Sequence, residues 1–127
     1  MNDKDEPDRK QLLIGVVGPC GSGKSTLIAG LEKKGFKCRH IAQEHSYAPS
    51  MWRKIANPDL LVFLDASFET CTRRRRLNWM KADYEEQLRR LSHARQHADL
   101  LVKTDALTIN QVLEQVAAFL KSKTSGS

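Results

Sequence analysis

The stretch that decides the fold runs from Leu12 to Ser25 and reads LLIGVVGPCGSGKS. Its first half, residues 12–17, is apolar throughout, which is typical of a strand buried on both faces of a parallel sheet. Residues 18–23 break that run with three glycines. Helical spacing of apolar residues then extends from Lys24 to Lys34, and Gly35 stands where a left-handed residue ends a helix. A buried strand, a glycine-rich loop and a helix in this order predict an α/β unit.

The rest of the chain alternates between the two kinds of pattern. Short apolar runs predict further strands at residues 60–64 and 100–103, and residues 36–41 are a plausible short second strand. Ser67 is a good N-cap for a helix reaching about Asn78, and Asp83 with Glu86 resembles the start of another. Strands that alternate with helices favour a parallel sheet with right-handed crossovers. We therefore predict a three-layer α/β fold with about four parallel strands.

A last helix is predicted to follow Thr108, which pairs with Gln111 in a capping box. Its apolar spacing predicts that five side chains are buried: Ile109, Val112, Val116, Phe119 and Leu120.

The 127 residues suffice for one domain. We predict a mobile arm at residues 1–10, a single domain at residues 11–121 and a flexible tail at residues 122–127. No apolar run is long enough for a membrane helix, and three cysteines without metal-ligand spacing suggest reduced thiols, so we expect a cytoplasmic protein. A formal net charge of +6 favours anionic partners, although charge alone does not choose among them.

The glycine-rich loop fits the pattern G-x-x-x-x-G-K-[ST] at every fixed position. Such a loop wraps backbone N–H groups around a phosphate, and the positive end of the helix dipole adds to the attraction. Lys24 is expected to reach the β- and γ-phosphates, and the Ser25 hydroxyl to ligate Mg²⁺. The predicted phosphate-binding residues are Gly18, Pro19, Cys20, Gly21, Ser22, Gly23, Lys24, Ser25 and Thr26.

Two carboxylates are predicted at the same edge of the sheet as this loop. Asp65 ends the apolar run of residues 60–64, where it can hold Mg²⁺ through water or else cap the turn before Ser67. Glu44 follows the second predicted strand, where it can orient an acceptor hydroxyl or a metal-bound water, with His45 assisting, or belong to an ordinary polar loop. The sequence leaves both pairs of alternatives open.

Aromatic and basic side chains give weaker indications. Trp52 fits either the core or a base pocket. Arg74 is expected on the solvent-facing side of the helix that follows Ser67. His93 and His97 stand four apart on one helix, a spacing that can bind zinc, but no third ligand is evident.

Several segments together resemble the P-loop kinases of the nucleoside-monophosphate, thymidylate and shikimate kinase types. These are GPCGSGKST at residues 18–26, PDLLVFLDAS at residues 58–67, the run of four arginines, and residues 94–108. Together with QEHSYAPSMW at residues 43–52, they also resemble short bacterial P-loop proteins. The resemblance spans about residues 12–120 and implies a P-loop NTPase fold.

The resemblance further implies ATP and Mg²⁺ as cofactors, and transfer of the γ-phosphoryl group to an acceptor. Arg73 to Arg76 then match the place of lid arginines, of which Arg73 and Arg76 are the candidates. Thr104 to Leu107 match the loop beside the adenine, with Thr104 and Asp105 as the candidate binding residues. The catalytic set that follows is Lys24, Glu44, Asp65, Arg73 and Arg76.

The chain is shorter than those kinases, and in them the strand that matches PDLLVFLDAS is often not the metal-binding one. Only about 18 residues separate the second predicted strand from Leu60, so the strand with the family's Asp-Arg pair and much of the acceptor domain are missing. The leading hypothesis is a small-molecule phosphotransferase. The alternative is a nucleotide-binding regulatory or assembly module with little turnover; an oligomer is compatible with both, whereas membrane and nucleic-acid partners are not expected.

Overall fold

A computed structural model describes residues 11–76 and 78–124. Its strands are β1 (Leu13–Val17), β2 (Lys37–His40), β3 (Leu60–Asp65) and β4 (Leu100–Lys103). Its α-helices are α1 (Lys24–Lys33), α2 (Met51–Ile55), α3 (Phe68–Arg75), α4 (Lys81–His97) and α5 (Ile109–Thr124), and a 3₁₀ turn covers Gln43–His45. The predicted arm at residues 1–10 and the last three residues of the predicted tail lie outside the described residues.

The four strands form one parallel sheet in the order β2-β1-β3-β4. β1 is central, and pairs Ile14 with Cys38 on one side and with Leu60 on the other. Because all strands are parallel, their carboxyl ends meet at one edge, and ligands of open α/β sheets bind at this edge. The loop after β1, the 3₁₀ turn after β2 and Asp65 at the end of β3 all lie there.

Side chains of β3 alternate between the two faces of the sheet. Val62 and Leu64 pack with α1 and α5, whereas Leu61 and Phe63 pack with Trp52 of α2 and with α4. The sheet is therefore buried on both faces, which explains the unbroken apolar runs in the sequence. The predicted α/β fold with three layers and four parallel strands is confirmed at this level.

The end of α3 and the start of α4 differ from the sequence predictions, because backbone conformation and capping hydrogen bonds set them. α3 stops at Arg75 because Arg76 takes the left-handed conformation (φ 53°), three residues before the predicted end. α4 begins at Lys81, because Asp83 accepts a hydrogen bond from the Met80 N–H and so occupies the third helical position rather than the cap. Gly35 has the predicted left-handed conformation after α1 (φ 96°).

The last helix starts as predicted and ends later. Thr108 and Gln111 form the reciprocal cap, and Val112, Val116 and Leu120 are buried. Ile109 was expected in the core but is 68% exposed, because it lies in the first turn, outside the contact between α5 and the sheet. α5 continues to Thr124, so part of the predicted tail is helical. Within the described ranges, no helix combines the length and the apolarity needed to cross a bilayer.

Candidate functional site

The loop from Gly18 to Gly23 connects β1 to α1 and depends on its glycines. Gly21 has φ +85°, and a Cβ atom there would collide with the carbonyl of Cys71 on α3. Gly23 has φ +103° and stands as the residue before α1. A side chain disfavours such backbone conformations, so these positions need glycine. The loop thus packs tightly against α3 while the first N–H groups of α1 lack helical partners.

Lys24 opens α1 and is buried, with 6% of its surface exposed. Its ammonium Nζ lies 2.7 Å from the Gly18 carbonyl oxygen, 3.1 Å from that of Pro19 and 3.0 Å from Oε2 of Glu44. A buried ammonium requires such partners because its desolvation costs several kcal/mol. The charged end of Lys24 is therefore held inside the loop.

Glu44 supplies the opposite charge from the 3₁₀ turn that follows β2. The residue is 2% exposed, and Oε2 takes the ion pair with Lys24. The other oxygen, Oε1, is buried and has no hydrogen-bond donor among the described residues. A carboxylate oxygen without a partner is costly in a buried place, so Oε1 is suited to receive a donor or a cation from a ligand.

A cavity of about 930 Å³ opens beside this ion pair. Its wall includes the loop from Cys20, the first turns of α1 with Ser25 and Thr26, the Glu44–His45 segment and α5 residues such as Leu113. Lys33, Lys34, Arg74 and Arg75 also line it. A cavity of this size holds a drug-sized or nucleotide-sized ligand, and its basic wall favours an anion.

Arg74 connects α3 to the loop and to the end of β4. One Nη donates to the Ser22 carbonyl (3.3 Å) and to Oγ1 of Thr104 (3.0 Å), and the other donates to the Thr104 carbonyl (3.0 Å). Arg74 is exposed, as expected, but its guanidinium group also binds the loop and the end of β4, which the sequence did not predict. The turn of α3 directs Arg74 to the loop and leaves Arg73 and Arg76, the predicted lid arginines, exposed.

Asp65 points away from the loop. Its carboxylate lies 3.6 Å from Nη1 of Arg95 on α4, and it is not part of the cavity wall. It does not cap the turn before α3 either, since Asp105 accepts the Ser67 N–H there (2.9 Å). That hydrogen bond is the main reason why the pKa of Asp105 is below its usual value. Of the two predicted carboxylates, the structure brings Glu44 to Lys24 and Asp65 to Arg95.

The two residues predicted beside the adenine have structural partners. Thr104 is 1% exposed and holds Arg74, while Asp105 holds the start of α3. Leu107, at the end of the same predicted loop, lines the cavity.

Sequence reasoning missed Gln87, which orients Cys20. Its side-chain oxygen accepts the Cys20 N–H (2.9 Å), and its Nε2 lies 3.4 Å from the Cys20 sulfur. The signal was a glutamine on the buried stripe of α4, three residues after Tyr84 and four before Leu91. A buried polar side chain at such a position needs a partner from another element.

The remaining candidates are arranged around α2 and α4. Trp52 is 5% exposed and belongs to the core, and its Nε1–H donates to Nδ1 of His93 (3.1 Å). The rings of His93 and His97 lie 4.4 Å apart between centroids and are tilted by 36°. Desolvation, then the nearby His97 and Arg53, lower the pKa of His93.

Within the described ranges, one group of three potential metal-ligating side chains was found: Cys20, Glu44 and His45. His93 and His97 have no third ligand of this kind among the residues that the structure describes. All three cysteines are free thiols, and burial raises the pKa of Cys38 to about 11 and that of Cys71 to about 12.

No protein-family profile matches the chain, and no curated protein is significantly similar to it in sequence.

Proposed function

We propose that this protein binds ATP with Mg²⁺ in the cavity beside α1 and transfers the γ-phosphoryl group to a small-molecule acceptor. The observation that carries the proposal is the buried Lys24 ammonium, which lies between two loop carbonyls and Glu44 at the start of α1. The sequence motif and this geometry both support the proposal of a P-loop NTPase fold. The fold also supports the proposal, because β1, a central strand of the parallel sheet, leads directly into the loop.

Phosphate binding uses groups that are already arranged. The loop N–H groups and the start of α1 donate to phosphate oxygens, and Lys24 exchanges its contacts with the Gly18 and Pro19 carbonyls for contacts with the β- and γ-phosphates. The buried Ser22 hydroxyl also lacks a partner among the described residues. The basic residues of the cavity wall attract the polyphosphate.

The residues beside Lys24 fit a hard cation with oxygen ligands. Ser25 lines the cavity in the first turn of α1, and Oε1 of Glu44 is a buried oxygen without a partner. Asp65, which the sequence offered for this purpose, is paired with Arg95. Ser25 would therefore hold Mg²⁺ directly and Glu44 would hold it through water, which leaves a Glu44 oxygen free to accept a proton. The ion would neutralise charge on the phosphates.

Glu44 is also the best-placed proton acceptor for the transfer. In this step the acceptor hydroxyl oxygen bonds to the γ-phosphorus, the bond from that phosphorus to the β,γ-bridging oxygen breaks, and ADP leaves. The proton of the hydroxyl passes to a Glu44 oxygen. Arg75 in the cavity wall, with Arg74 beside the loop, stabilises the charge on the moving phosphoryl group.

Phosphorus NMR tests this function directly. The protein is incubated with ATP–Mg²⁺ and pooled acceptors: nucleosides, nucleoside monophosphates, sugars, shikimate-like acids and short polyphosphates. We expect a new phosphoester signal that Lys24→Ala abolishes and Lys54→Ala retains, because Lys54 is exposed on α2 and outside the cavity wall. ADP formation that is the same with every acceptor pool would contradict the transferase.

The second candidate function is a nucleotide-dependent regulatory or assembly module. Exposed apolar side chains favour it, since Tyr47 is 84% and Ile55 66% exposed on the segment between β2 and β3. That segment is short, and it adds only α2 and the 3₁₀ turn to the sheet. Light scattering with and without ATP–Mg²⁺ separates the two functions, because a module without turnover should change its oligomeric state when it binds ATP, with no new phosphoester.

A further inference from the structure

We propose that Cys20, Glu44 and His45 form a binding site for one Zn²⁺ ion. The Cys20 sulfur lies 3.4 Å from Nε2 of His45 and 3.9 Å from Oε2 of Glu44. Nε2 of His45 lies 3.7 Å from the same carboxylate oxygen. The loop after β1 and the 3₁₀ turn after β2 thus bring three ligand atoms of different chemistry together.

These separations match those of ligands around a tetrahedral zinc ion. Bond lengths of about 2.3 Å to sulfur and about 2.1 Å to nitrogen and oxygen place tetrahedral ligands apart by about 3.6 Å for sulfur and nitrogen, about 3.6 Å for sulfur and oxygen, and about 3.4 Å for nitrogen and oxygen. Each observed distance is within a few tenths of an ångström of these values. Small side-chain rotations therefore suffice to bind the ion.

The second oxygen of Glu44 leaves the carboxylate with capacity for a further partner. Oε1 has no donor among the described residues, and Oε2 already contacts Lys24. With two oxygens, the carboxylate can serve the metal ion and Lys24 together.

The surroundings supply both an access route and an outer partner. The His45 side chain is 58% exposed, so an ion can reach the cluster from solvent. Gln87 fixes the Cys20 backbone and contacts its sulfur, as outer-shell hydrogen bonds do for metal-binding side chains.

The ligand chemistry selects Zn²⁺ over Mg²⁺. Sulfur and imidazole suit zinc, whereas Mg²⁺ prefers oxygen ligands alone. When the ion binds, the Sγ–H bond of Cys20 breaks, the proton goes to solvent, and the thiolate sulfur coordinates the ion. Three protein ligands leave the fourth position open to water or to a ligand.

One consequence rests on the proposed function. A Glu44 oxygen bound to Zn²⁺ no longer accepts the acceptor proton, and a metal-bound Cys20 ties the loop to the 3₁₀ turn. Zinc is therefore expected to inhibit phosphoryl transfer.

Metal binding itself is tested on the full chain without nucleotide. The protein is treated with a chelator, desalted under reducing conditions, and titrated with Zn²⁺ alone against a chromophoric competitor. We expect one ion per chain, and Co²⁺ in place of Zn²⁺ should give a thiolate-to-metal charge-transfer band. Cys20→Ser and His45→Gln should each weaken binding by more than about 100-fold, because losing a ligand costs more than losing an outer partner, which costs about 10–100-fold.

Matched variants isolate the site. Cys38→Ser removes a thiol from β2, and the His93→Gln/His97→Gln double variant removes the other histidine pair, so both should bind Zn²⁺ like the parent chain. Circular dichroism melts identify a variant that fails to fold. Because the His45 side chain is exposed, His45→Gln is less disruptive to the fold than Cys20→Ser. Undiminished binding in Cys20→Ser or in His45→Gln, or loss of binding in the double variant, would overturn the proposal.

The inhibition is measured separately. Zinc should lower the transfer rate of the parent chain but leave that of His45→Gln at its own zinc-free level. If no transfer occurs at all while Zn²⁺ binds as described, the proposed function fails and the zinc site stands. If transfer occurs and no Zn²⁺ binds, the zinc site fails alone.

Discussion

At the scale of single residues, the ion pair between Lys24 and Glu44 dominates the site. Both side chains are buried, so each stabilises the charge of the other in a place where water cannot. Removing one partner leaves the other desolvated and unpaired. The pair therefore links the stability of the loop to the same groups that would act on phosphate.

Glu44→Gln tests this link. The amide still accepts a hydrogen bond but removes the negative charge, so we expect the free energy of unfolding to fall by about 1–3 kcal/mol. Chemical denaturation measures the change, and Glu32→Gln on the exposed side of α1 serves as the control and should change it by less than about 0.5 kcal/mol. Equal stability of the two variants would show that the buried pair contributes nothing.

Gly21→Ala tests the close packing of the loop. Its Cβ meets the Cys71 carbonyl and its φ is positive, whereas Gly35 has a similar φ (+96°) and open space around the Cβ position. Gly35→Ala measures the conformational strain alone, about 1 kcal/mol. We expect Gly21→Ala to lower the free energy of unfolding by a further 1–3 kcal/mol or so, the usual cost of overpacking. Similar losses in the two variants would indicate that the loop can move away from α3.

At the scale of elements, α3 is joined to the sheet edge through polar side chains. Arg74 reaches the loop and Thr104, and Asp105 caps the start of the same helix. These contacts hold the end of β4 and the loop after β1 in a fixed relation. We therefore expect a displacement of the loop to displace the β4–α5 connection as well.

Arg74→Ala should weaken this connection. It removes three hydrogen bonds to partly buried acceptors, so we expect a loss of about 1–2 kcal/mol in the free energy of unfolding. Arg73→Ala removes an exposed arginine from the same helix and should cost less than about 0.5 kcal/mol. Denaturant midpoints measured side by side distinguish them, and a larger effect of Arg73→Ala would contradict the account.

The contact between α2 and α4 predicts a pH dependence. The pKa of His93 is lowered in the folded state, so protonation favours the unfolded chain. The stabilising contribution is present above the unfolded pKa of about 6.5 and is lost as the pH falls through the lower folded value. We expect His93→Gln, which can still accept from Trp52, to flatten the fall in melting temperature below about pH 6.5. An unchanged slope would mean that His93 does not titrate with folding.

At the scale of the whole molecule, the sequence predicted the architecture because the parallel sheet is covered on both faces. Continuous apolar runs such as residues 60–64 follow from that burial, and capping residues such as Ser67 and Thr108 fixed helix starts. Lys24 and Glu44 also lie in contact. This was expected, because the glycine-rich loop and the segment after β2 lie at the same edge of the sheet.

The sequence pattern did not predict which side chains contact one another across distant segments of the chain. Arg74 differs from Arg73 only by a rotation of α3 that tertiary packing sets. Gln87 and His45 reach Cys20 across separations of 67 and 25 residues. Asp65 ends its strand as predicted, but Arg95 on α4 attracts its side chain.

The net charge of the protein and the basic wall of the cavity favour the same kind of ligand. The formal charge is +6, and Lys33, Lys34, Arg74 and Arg75 lie along the cavity that opens beside Lys24. An anionic ligand with several charges matches this wall better than a neutral one.

Thermal unfolding with ATP–Mg²⁺ tests the central claim, nucleotide binding at Lys24, most directly. A ligand at about 100 times its Kd stabilises the folded state by about 2.7 kcal/mol, so the melting temperature of the parent chain and of Lys54→Ala should rise with ATP–Mg²⁺ concentration. Lys24→Ala, compared with its own ligand-free melting temperature, should show no rise. An equal rise in Lys24→Ala, or no rise in the parent chain at any concentration, would contradict the account.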